Sequence, residues 1–188
     1  SDSDTAEVAL VDLANTFFES EAWEMIRGAA PEAVREVDTP FQSFVLTGVP
    51  RIGEVRVFAI PDVLLQYDDL ITIVDWKTGD VSRESIRDQA GIYRLYAHLA
   101  YGVPEEAIEV VIADLGNYGE NVEPPGGTPS VAESRMLALH SIQDMVGRME
   151  DIRYNTASIK SFPRTDNLAL CRWCGFKRAC WRHEASND

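Results

Sequence analysis

The chain has 188 residues, of which 45% are hydrophobic, and this suffices for the core of one domain of ordinary size. Its formal net charge is −14, from 31 acidic and 17 basic residues, whereas nucleic-acid-binding proteins are usually basic overall. The sequence has no apolar run of about 18 residues and no charged-then-apolar leader, so we expect a soluble cytoplasmic protein with no membrane partner.

The basic residues are mostly arginines, and the lysines are Lys77, Lys160 and Lys177. An acidic, lysine-poor surface is typical of proteins that stay soluble in strong salt, because screening relieves self-repulsion. A GC-rich coding background gives the same composition. A salt-adapted origin is therefore a hypothesis, which lower activity at high salt than at low salt would contradict. The segment 159–188 is locally basic. It is either a surface that contacts phosphates or a solvated charged tail.

Helical and strand patterns alternate along the first half of the chain. Apolar residues recur at helical spacing over 8–26, which predicts an amphipathic helix. Strand-like runs follow at 43–49, 54–67 and 70–76. Pro61 lies inside the second run and predicts a bulge or an edge position there.

The second half begins with a predicted helix over 82–101, with Ser82 as its cap and Gly102 after its end. The apolar run 107–115 predicts a strand with a central place in the sheet. A final helix is predicted over 128–152, because a Thr-Pro pair starts it and one apolar stripe continues along it.

The predicted order is helix, three strands, helix, strand and helix, which indicates an α/β fold with a mixed sheet. We find no repeat and no linker, so we expect a single domain over 1–188. Its core would cover about 8–157, and a cysteine-bearing tail about 158–188.

Charged residues interrupt the third strand, in the stretch IVDWKTGD. If a hairpin turns at Asp68-Asp69, Asp62 lies opposite Asp75, and Lys77 shares their face. That face is otherwise apolar, with Leu64, Ile71 and Ile73. Two neighbouring buried carboxylates need compensation, for which Mg²⁺ or Mn²⁺ is the natural partner. The alternative is a buried ion triad in which the lysine neutralises both aspartates.

Three linked motifs stand in this region: Pro61-Asp62, then Asp75-Trp76-Lys77-Thr78-Gly79, then Gln89 and Tyr93 in a Q-x-x-x-Y pattern. Together they resemble the PD-(D/E)xK nuclease superfamily, and the last two are similar to its RecB-like and Cas4-like branch. The resemblance implies a restriction-endonuclease-like αβββαβ core. It implies that Asp62, Asp75 and the Trp76 carbonyl bind Mg²⁺ or Mn²⁺. It assigns Lys77 to catalysis, and Gln89 and Tyr93 to DNA contact or to bracing the site.

The resemblance implies a metal-dependent DNA nuclease, an exonuclease of DNA repair, recombination or phage- or CRISPR-related DNA processing. A helicase or a CRISPR or recombination protein would be its partner. One alternative is a catalytically degenerate member that serves as a DNA-binding or scaffolding subunit. Another is a nuclease that acts on RNA or branched DNA.

One feature departs from the branch, many of whose members carry an upstream histidine that completes the metal site. The histidines here all follow the motif: His98, His140 and His183. Upstream acids could replace it: Glu19, Glu24 or Glu36. The alternative is that the N-terminal part is missing or rebuilt.

The cysteines are clustered as Cys171-x2-Cys174-x5-Cys180, which indicates metal ligation rather than disulfides in a cytosolic chain. The spacing is similar to that of the iron–sulfur nucleases of the Cas4 and AddB type, which implies a [4Fe–4S] cluster. The fourth cysteine of that pattern is absent here. A Cys₃His zinc site with His183, or free thiols, are the alternatives.

Overall fold

The computed structural model describes residues 2–79, 82–162, 165–172 and 174–175. The chain divides into two compact units, Ser1–Gln143 and Asp144–Asp188. The helices are α1 (Asp2–Glu19), α2 (Glu21–Arg27), α3 (Arg83–Tyr101) and α4 (Val131–Gly147). The strands are β1 (Val34–Val37), β2 (Ser43–Val49), β3 (Gly53–Phe58), β4 (Val63–Tyr67), β5 (Leu70–Lys77), β6 (Ile108–Asp114) and β7 (Glu120–Asn121). The single domain over 1–188 stays a prediction.

The main sheet has five strands in the order β1-β4-β5-β6-β7. Only the β5–β6 pair is parallel, since β1–β4, β4–β5 and β6–β7 are antiparallel. Helix α3 forms the crossover between the parallel strands, as such a connection requires. This mixed sheet flanked by helices is the restriction-endonuclease-like fold that we expected, with the additional short strands β1 and β7 at its edges.

The N-terminal helical region is broken in two, so the prediction of one continuous helix over 8–26 was wrong. Ser20 separates α1 from α2, and its Oγ accepts a hydrogen bond from the N–H of Trp23 at 3.2 Å. Such a bond caps the start of a helix and favours a break at serine. The same hydroxyl lies 2.8 Å from the carbonyl oxygen of Phe17, at the end of α1.

The predicted strand over 54–67 is also two elements. Strand β3 ends at Phe58 and β4 begins at Val63, with Pro61 between them. Because proline has no N–H to donate, it interrupts the hydrogen bonding between strands. Here the chain passes from the sheet of β3 to the sheet of β4 at this proline. Strands β2 and β3 form a separate two-stranded sheet.

The two faces of the main sheet are covered by different helices. Val74 packs in a buried cluster with Ala22 of α2, and the rings of Trp76 and Phe17 lie 4.8 Å apart. On the other face, Ile112 packs against α3 residues. Burial of each large apolar side chain contributes roughly 1.5–3 kcal/mol, so both faces hold the sheet in place.

The observed ends of α3 agree with the predicted ones, whereas those of α4 do not. Ser82 caps α3, and Gly102 ends it with a φ of +71°, both as predicted. The last helix begins later than predicted, because Ser130 and Glu133 form a capping box. The Ser130 Oγ accepts from the N–H of Glu133 at 3.2 Å, and the Glu133 carboxylate accepts from the N–H of Ser130 at 2.9 Å. The helix ends at Gly147 rather than at 152.

None of the helices described here is long and apolar enough to cross a membrane.

Candidate active site

The β4–β5 hairpin has the predicted register. Its pairs extend from Tyr67 opposite Leu70 to Val63 opposite Val74. Asp62 precedes β4 by one residue, so it lies at the end of the hairpin away from the turn. The two-residue turn therefore aligns the carboxylates of the two strands, as the sequence predicts.

Asp62 is half-buried and is held by β5. Its Oδ2 accepts a hydrogen bond from the N–H of Trp76 at 2.7 Å. Because the N–H and C=O of one strand residue point to the same side, the Trp76 carbonyl is also directed toward Asp62. Burial raises the pKa of the Asp62 carboxyl, the charges of Asp75 and Asp38 raise it further, and the Trp76 N–H and Lys77 oppose the increase. The Trp76 N–H and the Lys77 ammonium therefore do not fully offset the cost of a buried negative charge on Asp62.

This raised pKa predicts a stability change in the Asp62→Asn variant without metal. A carboxyl whose pKa is higher in the folded state loses stability as the pH rises above its ordinary value of 3.8. The amide keeps an oxygen for the Trp76 N–H but carries no charge. We expect the variant to melt at a higher temperature than wild type at neutral pH with chelator, and at the same temperature below pH 3.8. An equal difference at both pH values would contradict this explanation.

Asp75 is buried, with 4% of its surface exposed, and both of its oxygens have neighbours. Its Oδ1 accepts from the hydroxyl of Tyr93 at 2.7 Å and lies 3.4 Å from the Nε2 of Gln89. Its Oδ2 forms an ion pair with the Nζ of Lys77 and has no hydrogen bond among the described residues. The sequence-predicted residues therefore meet at one carboxylate.

Tyr93 connects this carboxylate to the segment before β4. Its hydroxyl accepts from the Nε2 of Gln89 at 2.9 Å and lies 3.2 Å from the carbonyl oxygen of Ile60. Burial, followed by the charge of Asp75, raises the pKa of the Tyr93 hydroxyl well above its ordinary value. The phenol therefore stays protonated and donates to the aspartate. Gln89 and Tyr93 lie one turn apart on α3, so one helix face supplies both groups.

Three upstream acids could replace the histidine of the branch, and each lies in a different part of the structure. Glu19 ends α1, and Glu24 is ion-paired within α2. Glu36 is buried and accepts hydrogen bonds from Tyr96 and Tyr101. Among the residues that the structure describes, no three His, Cys, Asp or Glu side chains are grouped to hold a metal ion.

The structure adds two acids that the sequence did not single out. Asp38 follows β1, and its N–H donates to the carbonyl oxygen of Asp62 at 2.8 Å. Asp114 is the register partner of Lys77 in the parallel β5–β6 pair, so it lies at the same end of the sheet. The four-residue β1 gave too short a pattern to find, and no local turn sets the register of parallel strands.

The chemistry of these donors fits Mg²⁺ or Mn²⁺. Such ions bind one or two carboxylates and complete their shells with water and substrate phosphate oxygens. Asp62 and Asp75 supply the carboxylates, and the carbonyl of Trp76 is directed to the same side. The Oδ2 of the buried Asp75 already forms an ion pair with the Lys77 ammonium, so this carboxylate is charged and accepts a positively charged partner.

The cysteine segment belongs to the second unit. Cys171 is half-buried and Cys174 is exposed, and the two do not form a disulfide. Cys180 and His183 lie outside the described residues. An all-thiolate [4Fe–4S] cluster takes four cysteines, and this chain has three, so its own thiols do not complete one. The cluster and the Cys₃His zinc site both stay predictions.

The comparison with known proteins agrees with this geometry. A search of the curated proteins and a search of the solved structures returned no match. A family model described as the PD-(D/E)XK nuclease superfamily matches residues 5–181, which include the hairpin, α3 and the cysteine segment. The match covers more than half of the chain, and it includes every residue of the candidate site. The chain belongs to the PD-(D/E)XK nuclease superfamily.

Proposed function

We propose that this protein is a metal-dependent DNA nuclease that hydrolyses phosphodiester bonds with Mg²⁺ or Mn²⁺. The observation that carries the proposal is the setting of Asp75. Its buried carboxylate is held on one oxygen by Tyr93 and Gln89 and on the other by Lys77, beside a second carboxylate at Asp62. Membership of a nuclease superfamily supports the reaction class.

Asp62, Asp75 and the Trp76 carbonyl would bind the metal ion. When bound, such an ion polarises a phosphoryl oxygen and lowers the pKa of a water molecule. Tyr93 and Gln89 fix the orientation of Asp75, because both donate to its Oδ1 and Gln89 also donates to the Tyr93 hydroxyl. A fixed carboxylate costs little reorganisation when charge develops during the reaction.

Lys77 has two roles in this proposal. It neutralises Asp75, and its side chain is 20% exposed, so the ammonium is reachable from the solvent. A positive charge at this position would stabilise the negative charge that develops on the phosphate, or orient the attacking water.

The finer assignment is a RecB-like or Cas4-like exonuclease of DNA repair, recombination or phage- or CRISPR-related processing, beside a helicase or CRISPR partner. The DWKTG and Q-x-x-x-Y motifs support it. In this assignment the cysteine segment binds an iron–sulfur cluster or zinc, and elemental analysis for iron and zinc decides between them.

A catalytically degenerate DNA-binding or scaffolding subunit is the second candidate. The observation that favours it is that the described residues group no third His, Cys, Asp or Glu with the two aspartates. Within this candidate, a net charge of −14 favours the scaffolding role over DNA binding by an isolated chain.

Cleavage of linear DNA separates the two candidates. We expect wild type to cut single- or double-stranded DNA with Mn²⁺ or Mg²⁺, and chelator to stop it, at low or high salt. The Lys77→Ala variant should cut about 10²-fold more slowly, because it lacks the charge that faces the phosphate. Arg153→Ala, which removes an exposed positive charge of the second unit outside the basic segment 159–188, should cut like wild type. A folded wild-type protein that cuts nothing under any of these conditions would support the degenerate subunit.

A further inference from the structure

The β2–β3 hairpin presents an apolar surface to solvent. We define the hairpin face as the exposed residues Phe41, Val45, Phe58 and Ile60. Phe41 is 80% exposed and Phe58 is 55% exposed. The opposite face of the hairpin is its packing side, where Phe44 is buried and its ring centroid lies 6.4 Å from that of Tyr96 in α3. The exposed phenylalanines are therefore not required by the core.

The hairpin face continues directly into the candidate active site. Beyond the hairpin, the N–H of Ala59 donates to the carbonyl oxygen of Gln42 at 3.0 Å, so the two chain segments stay side by side. Ile60 belongs to the hairpin face, and its carbonyl oxygen lies 3.2 Å from the hydroxyl of Tyr93. Asp62 follows two residues later. A molecule bound on the hairpin face therefore lies next to the aspartates.

Three arginines lie along the hairpin, although the chain as a whole is strongly acidic. Arg56 is exposed and pairs with Val45 across the hairpin, and Arg51 lies in its turn. Arg135 of α4 donates to the carbonyl oxygen of Thr47 at 2.6 Å. Glu54 is the acid of the two strands, and the carboxylates of Asp38 and Asp62 lie beyond the end of the hairpin, at the candidate site. The exposed Arg56, on the same face as Val45, gives a polyanion a cationic contact beside the apolar residues.

We propose that the hairpin face binds an unpaired DNA strand and leads it into the site of Asp62 and Asp75. Bases would stack on Phe41 and Phe58, and Arg56 would contact the phosphates. Aromatic side chains bind single strands without sequence preference, because every base has a face that can stack. In a duplex these faces are already stacked on one another. The inference rests on the proposed nuclease function and gives its substrate class, an unpaired strand or a frayed end.

Binding is measured by fluorescence anisotropy with labelled oligo(dT), a duplex of equal length and oligo(rU), with chelator so that nothing is cut. We expect Phe41→Ala/Phe58→Ala to weaken oligo(dT) binding by about 30-fold or more, since stacking on each of the two rings contributes roughly 1–3 kcal/mol and about 1.4 kcal/mol is a tenfold change. Duplex binding should change less than twofold. The control is Tyr67→Ala, an exposed aromatic residue at the other end of β4.

A second pair of variants separates stacking from apolar contact. Phe58→Tyr keeps a ring and should bind oligo(dT) as wild type does, whereas Phe58→Leu keeps only apolar surface and should lose affinity. Retained affinity in Phe58→Leu would overturn the proposal. Unchanged oligo(dT) binding in Phe41→Ala/Phe58→Ala would also overturn it. If the self-association of this double variant decreased at the same time, the hairpin face would be a contact between protein chains. An equal loss of affinity for oligo(rU) and oligo(dT) in the double variant supports a site for unpaired strands that accepts both ribose and deoxyribose.

Failure of the inference and failure of the proposed function give different results. If wild type cuts DNA but the phenylalanine variants bind and cut like wild type, the nuclease stands and the hairpin face is not its strand-binding surface. If no DNA is cut but oligo(dT) binding depends on the two rings, the chain is a single-strand-binding member without catalysis.

Discussion

Replacement of Asp75 by asparagine is expected to reduce DNA cleavage by about 10²–10³-fold, the effect expected when a preorganised group of the reaction is lost. Asp75 is the shared partner of Tyr93, Gln89 and Lys77, so this change affects all three contacts at once. The amide keeps an oxygen for the tyrosine hydroxyl, but it has no charge for a divalent cation or for the lysine. Cleavage rates at saturating Mn²⁺ measure the effect.

Metal binding gives a readout of the same variant that does not depend on activity. An ion that binds only the folded state stabilises it by about 2.7 kcal/mol at a hundredfold excess over Kd. We therefore expect Mn²⁺ to raise the melting temperature of wild type and to leave that of Asp75→Asn nearly unchanged. Asp69→Asn, in the turn at the opposite end of the hairpin, is the matched control and should respond like wild type. Equal responses of the two variants would contradict metal binding at Asp75.

Gly91→Ala is expected to destabilise the protein, although alanine is the better helix former by about 0.5–1 kcal/mol. Gly91 lies in α3 between Gln89 and Tyr93. A Cβ there would lie 2.7 Å from the Oγ of Ser134 and 3.1 Å from the Cγ of Pro129. Ser134 is fully buried, so it has little room to move. Overpacking of this kind costs about 1–3 kcal/mol, so we expect a net loss of about 1–2 kcal/mol.

Thermal unfolding measures this loss as a decrease in Tm of about 2–8 °C for a chain of this length. Gly147→Ala is the control, because this glycine is the last residue of α4 and a Cβ there would meet nothing within 4 Å. The control should be neutral or slightly stabilising. A Gly91→Ala variant as stable as wild type would show that α3 can move away from its neighbours. In that case cleavage should still decrease, since α3 carries both residues that hold Asp75.

Local sequence signals were enough to predict the hairpin of the candidate site and the helix that supports it. Alternating polarity and a two-residue turn predicted the register from Tyr67 and Leu70 to Val63 and Val74, and the structure has that register. Local signals sufficed because a short turn leaves little freedom for the pairing of its strands. The caps of α3 were predictable for the same reason, since each depends on one residue and its near neighbours.

The tertiary structure alone decided what these elements meet. It placed Asp38 beside Asp62 and aligned Asp114 with Lys77, through strand pairs that no short turn connects. It also separated the β2–β3 hairpin from the main sheet, where the sequence indicated one long strand through Pro61. These arrangements depend on contacts between residues far apart in the chain. Patterns of periodicity and turn chemistry describe only neighbours in sequence, so they predicted the elements and the motif but not the surface around it.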